Sequence, residues 1–157
     1  MACKGRQGWK RKPCRSIISE MGQENIQAQA RSRAEQSLRA FGPLYLPHHL
    51  EKPPSRMHAE LYGMLESLTE RTGARLAVAA PRNSAKSTLV TLLYPLWSIC
   101  HRRHRFIVLL SDTADKAAEF LDHIKHELVN NVRLAEDYPE ACERFGRYPR
   151  APRWRAN

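Results

Sequence analysis

The chain has 157 residues, 42% of them apolar, and a formal net charge of +10. That length holds one hydrophobic core but not a motor domain joined to a nuclease, and no apolar run reaches the roughly 18 residues of a membrane span. The charge makes anions the expected partners, nucleic acid first, while Cys3, Cys14, Cys100 and Cys142, widely spaced and without a C-x-x-C, suit reduced thiols in a cytoplasm better than a disulfide framework.

Residues 1–18 read as a basic disordered arm: Lys4, Arg6, Lys10, Arg11, Lys12 and Arg15 crowd its start, with no acid among the first sixteen residues and no apolar core of a signal peptide. Such an arm is expected to make weak, salt-sensitive contacts to DNA. Residues 19–54 form a lead-in. The Gln, Ala, Arg and Glu content of Glu20–Ala40 predicts a helix with a thin apolar face, and Gly42-Pro43, Pro47 and Pro53-Pro54 predict an irregular segment from Phe41 to Pro54. Ser55 is placed to cap the next helix, whose Met57, Leu61, Met64, Leu65 and Leu68 share one face before Gly73 ends it.

From Arg75 the pattern changes. Leu76–Ala79 predicts a short strand, and Ala85 to about Cys100 a helix, bent or ended near Pro95. Phe106–Leu110 is a continuous apolar run of the kind buried in parallel sheets. After Ser111-Asp112 a helix is expected to about Asn130, with Ala114, Ala117, Leu121, Ile124 and Leu128 spaced three and four apart. Strand, helix, strand, helix predicts an α/β fold over residues 55–143: an incomplete P-loop NTPase core, a parallel sheet with flanking helices and right-handed crossovers, preceded by a helical, partly disordered amino-terminal segment. Residues 144–157 form a tail in which Arg144, Arg147, Arg150, Arg153 and Arg155 interleave with Phe145, Tyr148 and Trp154. That mixture can stack on single-stranded nucleic acid, or it is a loop cut off from its domain.

The chemistry of the sequence concentrates between Ala80 and Thr88. A loop that enters a helix points several backbone N–H groups at one spot, and the helix dipole adds positive charge there. In the pattern G-x-x-x-x-G-K-[ST] the lysine reaches the β/γ-phosphates and the hydroxyl holds Mg²⁺. Lys86 and Ser87 fill its last two positions, and Ala80 and Ala85 stand where the glycines belong. Alanine resists positive φ, so Asn83 is the expected left-handed residue.

The run Ala80-Pro81-Arg82-Asn83-Ser84-Ala85-Lys86-Ser87-Thr88 resembles the phosphate loop of the large subunits of tailed-phage terminases, ATP-driven motors that package DNA into proheads, whose loops often read A-P-R-G-x-A-K-S-T. Asn83 departs from that pattern. Tyr45-Leu46-Pro47, Ser55–Leu61, Phe106–Thr113 and Ile124–Leu128 continue the likeness, which covers roughly residues 38–157. The resemblance implies ATP and Mg²⁺ as cofactors. It gives Lys86 and Arg82 catalytic roles, Asn83, Ser84, Ala85, Lys86, Ser87 and Thr88 the phosphates, Ser87 the Mg²⁺, and Tyr45, Pro47 or His48 the region of the adenine. An exposed loop arginine and an ordinary helix cap remain open for Arg82 and Thr88. For the intact protein it implies double-stranded DNA, a terminase small subunit and a portal as partners, homo-oligomerisation, no membrane, and the host cytoplasm.

A P-loop ATPase also needs an apolar strand ending in an acidic pair. None follows Lys86. The expectation is therefore the amino-terminal piece of a longer protein, inactive alone. A basic nucleic-acid-binding protein without ATPase activity, or a piece of another P-loop ATPase, stays open beside it. The pairs His48-His49, His101/His104 and His123/His126 have no matching Cys or carboxylate set in the sequence, and Arg102, Arg103 and Arg105 would repel a divalent cation.

Overall fold

The computed structural model describes residues 26–71 and 73–146, with side chains to residue 143. The basic arm at 1–18 and the tail from residue 147 lie outside the described residues; Arg144 and Phe145 are described in their backbone alone, as part of a helix.

Among the described residues there is no strand, and the fold is helical. A helix at 26–36 (α1) leads into α2 (Leu38–Tyr45), a 3₁₀ turn (Pro47–His49) and α3 (Arg56–Leu68). After a non-helical stretch and the loop at 81–85, Lys86 and Ser87 begin a helix that runs through a π turn (Thr88–Leu93) into α4 (Tyr94–Cys100). Then come α5 (Ala114–Asn130), α6 (Val132–Asp137) and α7 (Pro139–Gly146).

The predicted parallel sheet is corrected by what its two strands do. Residues 74–80 and 106–110 are non-helical, as their composition asks, but they form no ladder. Phe106, Val108 and Leu110 are 80%, 57% and 87% exposed, while Leu109 packs against the core. A run of this type is stable in a sheet only with a strand at each side and cover on both faces. Here the helices pack on one another instead, so α/β gives way to an all-helical arrangement.

The irregular segment expected at Phe41–Pro54 is corrected too. The α2 helix continues through Gly42 and Pro43, because Leu38, Phe41, Gly42 and Tyr45 form one buried face. Its start is capped from outside: Glu66 Oε1 on α3 accepts from Leu38 N–H at 2.6 Å and from Ser37 Oγ–H at 3.1 Å, satisfying donors that a helix start leaves open. A Cβ on Gly42 would sit 2.6 Å from Leu50 Cδ1 and 3.3 Å from Leu93 Cδ2, so its bare backbone lets α2 approach the π turn.

Pro95 does not end its helix. An α-helical turn would drive its ring into the Thr91 carbonyl. The wider i→i+5 turn before it, closed by Tyr94 N–H to Leu89 O, avoids the clash. The helix then carries Leu89, Leu92, Leu93, Leu96 and Trp97 into the core with Leu38, Phe41, Leu61, Leu65, Ile124 and Leu128. Trp97 is its largest member, 1% exposed, with Nε1–H donating to Ala34 O at 2.9 Å and the Arg103 guanidinium 4.1 Å from its ring. The lead-in and the residues after 55 thus share one core. Burial pushes the Cys100 thiol up to about 12, with Cys142 adding to the rise, and raises the Cys142 thiol as well, which favours the thiol over the thiolate at both.

Candidate functional site

The loop between residue 80 and Lys86 is shaped by its own side chains. Ser84 Oγ–H donates to Pro81 O at 2.8 Å, and Lys86 Nζ reaches back over the loop to Ala80 O at 3.1 Å. Asn83 has φ of 61°, in the left-handed region expected of it. Ala85 has φ of 52°, against the expectation that alanine stays out of that region. An L-residue with a Cβ gives up roughly 1–2 kcal/mol there, and such outliers gather at sites where a particular loop shape matters.

What holds the strained loop is α3. The Ser55 N–H donates to His58 Nδ1 at 3.0 Å, closing the reciprocal half of a capping box. Because Nδ1 accepts, the imidazole proton is on Nε2, which donates to Ser84 O at 2.8 Å. One histidine thus caps a helix with one nitrogen and fastens the loop with the other.

A cleft of about 480 Å³ opens beside this junction, walled by Asn83, Ser84 and Ala85 on one side and by Arg39, Lys52 and Tyr62 on others. The size is within the range of small-ligand sites, and Arg39 and Lys52, against the carboxylate of Glu51, leave its lining with an excess of positive charge. Of the residues assigned to phosphate, the structure brings Asn83, Ser84 and Ala85 to the cleft. Arg82, Lys86, Ser87 and Thr88 are outside its lining. Arg82 and Ser87 are exposed, and Lys86 and Thr88 half-buried. Tyr45 is taken out of the adenine region: it is 1% exposed, and its hydroxyl donates to Asp137 Oδ2 at 2.7 Å. His48 does border the cleft. The α5 helix is capped by Thr113, whose Oγ1 accepts from the Lys116 N–H, while Asp112 Oδ1 accepts from Ser111 Oγ–H at 2.8 Å. That Ser111 bond, helped by the Lys116 charge, holds the Asp112 carboxyl below the usual range.

The sequence offers no carboxylate to the pair His48-His49 on the cleft wall, and the structure supplies one. His48 and His49 both turn their Nε2 atoms to Glu127 Oε1, at 2.9 and 3.2 Å. The carboxylate comes from α5, 79 and 78 positions away, and is 5% exposed. Burial alone would push Glu127 up. Hydrogen bonds from Asn131, His48 and His49 outweigh it and keep the carboxyl below its ordinary range.

A scan of family models, a search of curated proteins and a search of solved structures each return no match to the chain. Among the described residues no helix is long and apolar enough to cross a membrane.

Proposed function

We propose that this chain binds Mg-ATP through the loop from Ala80 to Thr88, as the ATP-binding part of a terminase-like DNA-packaging motor of a phage. The observation that carries the reading is the loop itself: Asn83 and Ala85 both adopt positive φ where a phosphate loop concentrates glycine, and Lys86 closes over it. The proposal rests on this local shape and on no sheet. In the bound state Lys86 would exchange the Ala80 carbonyl for the β/γ-phosphates, Ser87 would ligate Mg²⁺, and the amides at the helix start would meet phosphate oxygens. Arg82 is exposed and positioned on the loop to supply further positive charge. The basic cleft beside the loop would take the rest of the nucleotide. Double-stranded DNA, a small subunit, a portal, a ring of like subunits and the host cytoplasm belong to the proposal for the intact motor.

One observation favours a second reading. The described fold is helical and the chain carries +10, which suits a nucleic-acid-binding protein that uses no nucleotide. Titration with a fluorescent ATP analogue in Mg²⁺ separates the two. The proposal expects weak saturable binding, lost in Lys86→Ala, with no steady-state hydrolysis by the isolated chain. Absence of nucleotide binding in the parent, with DNA affinity unchanged by Lys86→Ala, selects the second reading.

A further inference from the structure

The geometry points to a transition-metal site at the base of the 3₁₀ turn, in which His48 Nε2, His49 Nε2 and Glu127 Oε1 hold one divalent ion of the zinc class. These three atoms lie within 4.8 Å of one another. A tetrahedral ion bound at about 2.0–2.1 Å needs donor atoms roughly 3.3 Å apart. The two nitrogens are 2.9 and 3.2 Å from the shared oxygen and within 4.8 Å of each other, so the two nitrogen–oxygen edges need a shift of tenths of an ångström and the nitrogen–nitrogen edge one of at most about 1.5 Å. Two imidazoles and one carboxylate are a donor set that suits zinc and its neighbours and not Mg²⁺, which prefers oxygen throughout. The site is therefore separate from the Mg²⁺ of a bound nucleotide.

The surroundings are built as such a site requires. Glu127 Oε2 accepts from Asn131 Nδ2 at 2.9 Å, and the same Nδ2 donates to Tyr45 O at 2.8 Å, so the carboxylate is oriented from behind. The nearby Arg133 is engaged elsewhere, with Nη1 donating to Leu44 O at 3.0 Å. Entry is from a hollow of about 390 Å³ lined by His48, His126, Glu127 and Asn130, which leaves a fourth position for water or for His126. Binding replaces two N–H···O bonds: each neutral imidazole moves its proton from Nε2 to Nδ1 and presents the Nε2 lone pair to the ion. No net proton is released. The ion would clamp the turn that walls the basic cleft onto α5.

The test is a Co²⁺ titration of the full, metal-stripped chain, read by visible d–d absorption. One equivalent is expected to bind with the spectrum of a four- or five-coordinate ion, to lack thiolate charge-transfer absorption, and to be displaced by Zn²⁺. The spectrum should vanish in the His48→Ala/His49→Ala double variant and in Glu127→Gln, and Asn131→Ala should raise the dissociation constant roughly 10- to 100-fold. Lys86→Ala should leave it untouched, which keeps this result apart from the nucleotide reading. His48 and His49 are surface residues, so the double variant is expected to keep its far-UV circular dichroism. Equal Co²⁺ binding by parent and double variant, no Co²⁺ binding by the parent, or a thiolate band marking Cys3 or Cys14 as the ligand, would each overturn the assignment.

Discussion

Two apolar regions of this chain meet opposite fates. Leu89, Leu92, Leu93, Leu96 and Trp97 are all at most 5% exposed, whereas Phe106, Val108 and Leu110 stand mostly in solvent. Both are dense in large apolar residues. The difference is the period: spacing of three and four places a stripe that other helices can cover at once, while a continuous run has two faces and two edges to satisfy. A helix needs cover along one stripe only, and α2, α3 and α5 supply it here. The continuous run depends on strands that the described residues do not provide.

Truncating one member of each region should give opposite results. Trp97→Ala is expected to cost about 3–5 kcal/mol, through lost burial and the cavity left behind. Leu110→Ser should fall within about 0.5 kcal/mol of the parent, as exposed substitutions do. Urea unfolding followed by circular dichroism measures both. A loss of several kcal/mol for Leu110→Ser would mean that the continuous run is covered after all.

A smaller effect separates the helical core from the polar loop by pH. His101 is packed between Phe41, Trp97 and Tyr138. Its Nδ1–H donates to Trp97 O at 2.8 Å, and its Nε2 pairs with the Tyr138 hydroxyl at 2.8 Å. Burial lowers its pKa, partly opposed by the Trp97 bond, with Arg103 and Arg31 adding to the fall and Glu35 opposing it. The unfolded chain then binds a proton that the folded chain refuses. Stability from this group is complete above the unfolded value of about 6.5 and declines as pH falls from there toward the lowered folded value, by at most about 1.4 kcal/mol per pH unit. Denaturant midpoints at pH 7.5 and 5.5 should differ more for the parent than for His101→Gln. An equal difference in the two would remove His101 from the account.

The smallest expected effect lies in the loop. Ala85→Gly relieves a left-handed alanine, worth roughly 1–2 kcal/mol, and gives back about 0.5–1 kcal/mol through the freer unfolded chain. The net is a gain of about 0–1.5 kcal/mol, visible as a raised melting temperature. A lowered one would show that the strain assigned to Ala85 is not there.

Much of the helical part was legible. Arg56–Leu68 and Ala114–Asn130 follow from one-face spacing and from Ser55 and the end at Asn130. The positive φ of Asn83 followed from its residue type. Gly42-Pro43 hid α2, since both residues signal a break and only the burial of Phe41 and Tyr45 overrides it. Ala85 hid for the opposite reason: nothing in alanine announces a conformation it adopts under constraint. The carboxylate that joins His48 and His49 was out of reach of any spacing rule, because a separation of nearly eighty positions is set by how α5 crosses the 3₁₀ turn. The sheet failed as an expectation because composition predicts extended backbone, not the neighbours that pair with it.

The bond from His58 Nε2 to Ser84 O spans 26 positions. In polymer terms it is a non-covalent cross-link that closes a ring containing the end of α3, the turn at Gly73 and the non-helical stretch at 74–80. Inside that ring the chain retains far less freedom than an open excursion of equal length would. If the hydrogen bond opens, the loop loses its tie to α3, and the cap at Ser55 loses the imidazole orientation that served it. The ring therefore behaves as one mechanical element, with a single histidine as its clasp.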